Sequence, residues 1–156
     1  MEVWEGLAQW PGARWLQGSG TAYLVVNAAH ILGIGLLLGA ILPLDLRLAG
    51  IIRGAPVAVL APFLSRAAAC GLALALLTGA WLFTVRPAEY AANPAFWAKA
   101  GLLVLALGNI ALQHRGAGWR TALAGGRIAP RVRLLALASS GLWLCVLLAG
   151  RWIGFV

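Results

Sequence analysis

The sequence predicts an all-α, polytopic membrane protein: an up-down bundle of four transmembrane helices preceded by a short N-terminal interfacial segment. Of the 156 residues, 62% are hydrophobic and only 10% are charged, and the mean hydropathy is +0.90. A water-soluble domain of this length needs many more polar residues to cover its surface. Lipid is therefore the expected solvent for most of the chain, which forms a single membrane domain.

The four spans follow from four stretches that carry no formal charge. These stretches are Trp15 to Leu44, Ala67 to Val85, Ala100 to His114 and Leu134 to Gly150. A helix rises about 1.5 Å per residue, so about 20 residues are needed to cross the hydrocarbon core. Together with the nearest helix start and stop signals, the stretches predict transmembrane helices over about 21–44, 63–85, 94–114 and 130–150.

The third and fourth stretches are too short alone and are extended by their start signals. Asn93 and Pro94 form a good N-cap and first-turn pair for the third helix, and Pro130 opens the fourth. Lys99 then lies in the second turn of the third helix. We expect its stem to run along the helix so that the ammonium reaches the headgroups.

Prolines also bear on the first two helices. The first helix can continue past a kink at Pro43 to Leu48, at the far membrane surface. The second helix is expected to start after Pro62, and residues 56–64 to form a short interfacial helix.

Aromatic and basic residues predict how the chain lies relative to the two membrane surfaces. Residues 1–20 contain Trp4, Trp10 and Trp15 and read as an arm resting at the lipid headgroups. Four basic residues lie on the side of both termini, and eight lie on the other side, in the first and third connections. These eight are Arg47, Arg53, Arg66, Arg115, Arg120, Arg127, Arg131 and Arg133. The positive-inside rule therefore predicts an inner-membrane protein with both termini outside the cytoplasm.

Several function classes are disfavoured by the composition. The net charge of +8 does not form a single basic run or stripe, so nucleic acid is not an expected partner. Cys70 and Cys145 have no second ligand at metal-motif spacing and read as small buried hydrophobes. The phosphate loops, nucleophile elbows and paired carboxylates of soluble enzymes are missing, so we predict no catalytic residues.

Polar residues in mid-helix are the most informative ones, because hydrocarbon penalises them. The first helix carries Asn27, His30 and Gly33 on one face, the second carries Thr78, and the fourth carries Ser140. Counting from the outer end of each helix places His30, Thr78 and Ser140 at similar depth. The sequence thus predicts a polar site in the outer half of the bundle.

Other polar residues are expected elsewhere. Asn109 and His114 fall toward the cytoplasmic side, nearly 20 Å from His30 along the axis at helical rise. Asp45 and Arg47 read as interfacial anchors.

His30 admits three interpretations: a packing histidine, a haem or metal ligand, and a proton relay. A haem ligand would bind iron, with Gly33 leaving room for the flat cofactor and Asn27 or Thr78 orienting the ring. Because His114 lies too far away, the second axial ligand would be another group, none, or His30 of another subunit.

The leading functional hypothesis is accordingly a haem b-associated redox or electron-transfer protein. The alternative is a non-enzymatic accessory subunit of a larger membrane complex, and the third is copper handling or transport. Recurrent small residues allow close helix contact, within the chain or in a homodimer. They are Gly35, Gly39, Gly71, Ala75 and Gly79.

A distinctive series of residues carries a family resemblance. It comprises Ala29-His30, Gly39, Leu44-Asp45-Leu46-Arg47-Leu48, Leu77-Thr78-Gly79, Asn93-Pro94-Ala95-Phe96, Lys99 and Asn109. Over about Thr21 to Gln113 the chain resembles an uncharacterised bacterial four-helix membrane family, which is more distantly similar to the copper-resistance D membrane proteins. That kinship implies copper handling or a link to b-type cytochromes, although the single methionine disfavours Cu(I) transport. A fainter resemblance is to HemJ-type protoporphyrinogen oxidases, which implies a pairing of His30 with Lys99.

Overall fold

The computed structural model describes residues 2–155 and the side chains of residues 4–155. Over this range the chain forms eight helices and no strand. The helices are α1 (Glu2–Gln9), α2 (Pro11–Gly18), α3 (Gly20–Ala49), α4 (Val57–Phe83), α5 (Pro87–Ala92), α6 (Pro94–Arg115), α7 (Ala117–Leu123) and α8 (Pro130–Trp152). The predicted all-α fold is confirmed.

Four of these helices, α3, α4, α6 and α8, are long and apolar enough to cross a membrane, with 30, 27, 22 and 23 residues. Large apolar side chains point outward from all four. Leu32, Leu77, Val104 and Leu148 each expose between 64% and 72% of their surface. Such a surface is stable only against lipid. The chain is a multi-pass membrane protein.

Side-chain caps and a glycine fix several helix ends. The Ser19 hydroxyl accepts a hydrogen bond from the Ala22 amide at the start of α3, and the Asn93 side chain accepts one from Ala95 at the start of α6. Gly50 ends α3 in a left-handed conformation, with φ of 83°, which favours glycine.

Neither Pro43 nor Pro62 ends a helix. α3 runs through Pro43 to Ala49, and α4 begins at Val57 and includes Pro62. The expected interfacial helix over 56–64 is therefore the first part of α4 rather than a separate element. Tertiary packing explains the difference, since Val57 and Ala61, in these first turns, are buried in the bundle.

The spanning helices pack as two pairs, α3 with α4 and α6 with α8, and contacts between α3 and α8 join the pairs. The buried apolar residues form three successive clusters along the bundle, and we name them by position. The cluster at the end of the bundle where both chain termini lie contains Leu16, Ala22, Val26 and Leu82. The middle cluster contains Leu37, Ala40, Ile41, Ala68, Ala106 and Trp143. The cluster at the opposite end contains Leu44, Leu48, Val57, Ala61, Trp119, Ala122, Val132 and Ala136.

The N-terminal arm folds over the terminal end of the bundle. The Trp10 indole donates to the Thr84 hydroxyl, and the Trp81 indole donates to the Gly12 carbonyl, both at 3.0 Å. Trp15 stacks on Trp81 with ring centroids 5.8 Å apart. The arm therefore packs on the end of α4, and it also helps to wall the site described next.

Candidate functional site: a polar cavity around His30

A cavity of about 1140 Å³ lies at the terminal end of the bundle. Its walls come from α2, α3, the end of α4, α5, the start of α6 and the end of α8. It lies where α6, which packs against α8, leaves space beside the α3–α4 pair. The volume slightly exceeds the range of about 300–1,000 Å³ that is usual for small-molecule sites.

His30 lies against Gly79 in this cavity. A Cβ atom on Gly79 would lie 2.9 Å from Cε1 and 3.3 Å from Nδ1 of His30, so only glycine leaves room for the ring. The His30 Nδ1 atom is 3.1 Å from the Thr78 hydroxyl oxygen. Two adjacent residues of α4 therefore position the imidazole: Gly79 leaves space for the ring, and Thr78 forms a hydrogen bond with it.

A second hydrogen bond of Thr78 favours one position for the proton of the His30 ring. The Thr78 hydroxyl donates its single proton to the Leu74 carbonyl at 2.6 Å. With its proton on that carbonyl, the hydroxyl accepts from His30, and this arrangement favours the tautomer protonated at Nδ1. The Ala75 carbonyl lies beside the same hydroxyl, 3.4 Å from the Thr78 oxygen. In the tautomer protonated at Nδ1, the lone pair of Nε2 is available to the cavity that His30 lines.

Lys99 reaches into the cavity from α6. Its Cε, Cδ and Nζ atoms pass within 3.4 to 3.5 Å of the position that a Cβ on Gly150 would take. The side chain therefore crosses toward α8 and lines the cavity with His30. This differs from the expectation that it would run to the headgroups. The reason is that Gly150 leaves a channel for the stem.

Tyrosines and arginines surround the outer part of the cavity. Tyr23 and Asn27 extend the polar face of α3, and Tyr90 faces them from α5. Burial, and then the neighbouring Tyr23, raises the pKa of the Tyr90 phenol above its ordinary value. Tyr90 thus remains a hydrogen-bond donor well above neutral pH. Arg86 and Arg151 also line the cavity.

The structure brings together some of the sequence-predicted site residues. His30 and Thr78 are hydrogen bonded, and Asn27 lines the same cavity. Gly33 does not line it: a Cβ there would meet the Ala75 nitrogen at 2.7 Å, because Gly33 packs on the backbone of α4. Room for a flat cofactor comes from the gap beside α6 and not from Gly33.

Ser140 is the other predicted site residue that lies elsewhere. It faces the carboxyl group of Asp45, with Ser139 beside it. Asp45 is only 4% exposed and is not the interfacial anchor that the sequence suggested. Since Asp45 follows His30 by fifteen positions on one helix, the two lie about 22 Å apart at helical rise. The bundle therefore has a second polar site at its opposite end.

Sequence reasoning missed two features of the His30 cavity. Gly79 belonged to a series of small residues on α4, and its position directly after Thr78 was the available signal. Tyr23 lies one turn before Asn27 on the same face, but tyrosine near a helix end reads as a membrane-interface residue.

The chain as a whole matches one family model, over residues 13–156. The chain belongs to DUF6644, a family of unknown function. No curated protein and no solved structure matches it.

The DUF6644 match covers all four spanning helices and all the residues that line the His30 cavity. It begins at Ala13, inside α2, and so leaves out α1. The cavity is therefore part of the DUF6644 region of the chain. The resemblance to an uncharacterised family is confirmed.

Proposed function

We propose that this protein binds haem b in the His30 cavity and takes part in one-electron redox reactions at the membrane. One observation carries the proposal: the contacts of the Thr78 hydroxyl with the Leu74 carbonyl and with His30 Nδ1 favour a proton on Nδ1, which would leave Nε2 as the ligand atom. Histidines that bind metals commonly donate their other ring N–H to such a partner, which sets the tautomer and the ring orientation.

The cavity suits the size of haem and its combination of an apolar ring with charged carboxylates. Its volume of about 1140 Å³ accommodates a large planar ligand. Phe96, Leu82 and Leu16 supply apolar walls, and Arg86 and Arg151 supply positive charge for carboxylates. A bound haem would supply an iron that changes oxidation state by one electron, at a potential tuned by its ligands and surroundings.

The residues of the chain would hold and tune the group in distinct ways. His30 would hold the haem iron through Nε2, while the Thr78 hydroxyl would keep the ring in place. Lys99, from α6, would supply a further nitrogen donor in the same cavity. His114 serves neither role, since it lies at the other end of α6, where its ring is tilted by 54° against that of Trp119.

The chain would lie in the inner membrane of a bacterium, with both termini and the His30 cavity on the extracytoplasmic side. The support is the excess of arginine on the opposite side, eight basic residues against four. The redox partner would then reach the cavity from outside the cytoplasm.

A haem titration with a matched histidine control tests the binding. Full-length protein in mild detergent is titrated with haemin, and the absorption spectrum is recorded for the wild type, His30→Ala and His114→Ala. We expect saturation at one haem per chain in the wild type and His114→Ala, and loss of the specific bands in His30→Ala. Equal binding by all three folded proteins would contradict the proposal.

A non-enzymatic accessory subunit is the second candidate, and an open glycine face favours it. Cβ atoms on Gly35 and Gly39 would have no neighbour within 4 Å, so this face of α3 is free to approach another helix. The partner would be a second copy of the chain or a larger membrane complex. Co-purification of a stoichiometric partner with colourless protein would favour this function.

Copper handling, implied by the distant kinship to copper-resistance D proteins, ranks third. Within residues 2–155, no three His, Cys, Asp or Glu side chains lie close enough together to hold a metal ion. Cys70 and Cys145 are both exposed on the surface of the bundle. The donor set therefore favours haem over copper.

A further inference from the structure

The second polar site concentrates buried polar atoms that have no partner. Five such side-chain atoms occur among the described residues. They are Asp45 Oδ2, Ser65 Oγ, Gln113 Oε1, Ser140 Oγ and Trp143 Nε1. The Ser139 and Ser140 hydroxyls face the Asp45 carboxyl, but no hydrogen bond of good geometry reaches Asp45 Oδ2 or Ser140 Oγ. Three of these residues, Asp45, Ser65 and Gln113, line one cavity of about 20 Å³. Unpartnered polar atoms buried in a bundle are costly, so their convergence calls for a ligand.

Every spanning helix contributes at least one oxygen-bearing side chain to this cavity, and α6 also contributes Asn109, whose Nδ2 atom donates to the Leu135 carbonyl. Asp45 comes from α3, Ser65 from α4, Gln113 from α6 and Ser139 from α8. Asp45, Gln113 and Ser139 are each less than a tenth exposed. Oxygen-bearing side chains from all four spanning helices thus meet at this cavity.

The orientation of the Gln113 amide is fixed from outside the cavity. Its Nε2 atom donates to the Val132 carbonyl at 3.2 Å. Turning the amide over would bring two oxygens together, so Oε1 must be the atom without a partner. A carbonyl oxygen and a carboxylate oxygen therefore share the cavity, and both can only accept when the carboxyl is ionised.

Asp45 also lacks a compensating cation. The ion pair found in the described structure joins Arg86 and Glu89 at 3.4 Å, at the other end of the bundle. His114 is the only other titratable residue lining the cavity, and its Nδ1 atom is engaged with the Ile110 carbonyl at 2.9 Å. An ionised carboxylate in this position needs a positive charge close by.

We propose that this cavity binds one Na⁺ ion, held by the oxygens of Asp45, Ser65, Gln113 and Ser139. Oxygen ligands suit hard cations, and the single carboxylate balances a single charge. The volume of about 20 Å³ holds one water-sized species. A proton on Asp45 would satisfy one acceptor, whereas a cation satisfies several oxygens at once.

Thermal unfolding in matched salts tests the site. The full-length protein in detergent is unfolded in NaCl, KCl and choline chloride at equal ionic strength. At a Na⁺ concentration tenfold above Kd, we expect a Tm about 3–6 °C above that in choline chloride. Asp45→Asn keeps the shape of the side chain but removes its charge, and it should abolish the Na⁺ effect. Glu89→Gln makes the same change at an exposed carboxylate and should preserve it.

A direct binding measurement covers the case in which Asp45→Asn does not fold. Equilibrium dialysis with radioactive Na⁺ should give one ion per wild-type chain, with weaker binding by Ser65→Ala. The absence of a Na⁺ effect in the wild type would overturn the proposal, as would an equal effect in Asp45→Asn. A protonated Asp45 would overturn it too. Infrared spectroscopy would then show the carbonyl band of a protonated carboxyl, and Na⁺ would have no effect on the Tm.

Discussion

At the scale of residues, the chemistry of the larger cavity depends on one imidazole and two adjacent positions of α4. Gly79 supplies the space for the His30 ring, and Thr78 supplies the acceptor for its Nδ1 proton. The Leu74 carbonyl completes the arrangement by engaging the only proton of the Thr78 hydroxyl. In the tautomer that these hydrogen bonds favour, Nε2 carries the free lone pair.

Thr78→Val should weaken haem binding without removing the ligand. Valine has the shape of threonine but offers no acceptor, so the His30 ring would lose its fixed tautomer. A lost partner of this kind typically lowers metal affinity by about 10- to 100-fold. Haem titration measures the change, and Thr121→Val, on the exposed face of α7, is the matched control. Unchanged affinity in Thr78→Val would argue against the assigned role.

Gly79→Ala should displace the His30 ring, because the added methyl group would lie 2.9 Å from Cε1. We expect loss of haem binding with the helix content retained, as measured by absorption and circular dichroism. Gly35→Ala adds the same methyl group where nothing lies within 4 Å and should bind as the wild type does. Equal binding by both variants would show that the ring does not need this space.

The residue level is also where sequence reasoning was only partly successful. The pairing of His30 with Thr78 was predictable because both are polar groups at similar depth. Gly33 and Ser140 were misplaced, since depth counting ignores rotation about the helix axis and cannot locate helix starts within a turn. The sequence did not reveal the burial of Asp45. The helix α3 continues past Pro43, and this continuation places the Asp45 carboxyl inside the bundle.

At the scale of elements, the tightest contact is the crossing of α3 and α4. A Cβ on Gly71 would lie 2.5 Å from the Leu37 nitrogen, and a Cβ on Gly33 would lie 2.9 Å from the Gly71 carbonyl oxygen. The two backbones touch at this point, so neither can move aside for a side chain. Small residues therefore serve packing within the chain here.

Gly71→Ala should destabilise the bundle, because the clash involves the backbone itself. Overpacking of this kind costs about 1–3 kcal/mol. Gly39→Ala, on the open face of α3, should be nearly neutral or slightly stabilising. Denaturant unfolding in mixed micelles compares the two variants. Similar stabilities of the two would contradict the close backbone contact between α3 and α4 at Gly71.

The existence of the four spans was predictable, but the start of α4 was not. Proline in a helix removes one hydrogen bond, so Pro62 suggested a boundary. The first turns persist because Val57 and Ala61 are buried against Leu44 and Leu48 of α3. That contact is tertiary, and no local pattern reveals it.

At the scale of the whole molecule, the two polar sites lie at opposite ends of the bundle. The His30 cavity is large and walled partly by α2 and α5, whereas the Asp45 cavity is small and enclosed by the spanning helices. The middle cluster of apolar residues separates them. The proposed haem and Na⁺ sites would then face different sides of the membrane.

Cysteine labelling tests this orientation. In a background of Cys70→Ala and Cys145→Ala, single cysteines replace Glu89 in α5 and Arg127 in the connection before α8, both exposed positions. A membrane-impermeant maleimide added to intact cells should label position 89 and spare position 127 until the cells are opened. The opposite pattern would invert the proposed topology.

The most direct test of the haem proposal is a reduced-minus-oxidised visible spectrum of the protein isolated from membranes, beside that of His30→Ala. The account predicts the reversible bands of a b-type haem in the wild type and their loss in a variant that keeps its helix content. A featureless spectrum from folded protein, produced in cells supplied with haem, would contradict the account and favour the accessory subunit.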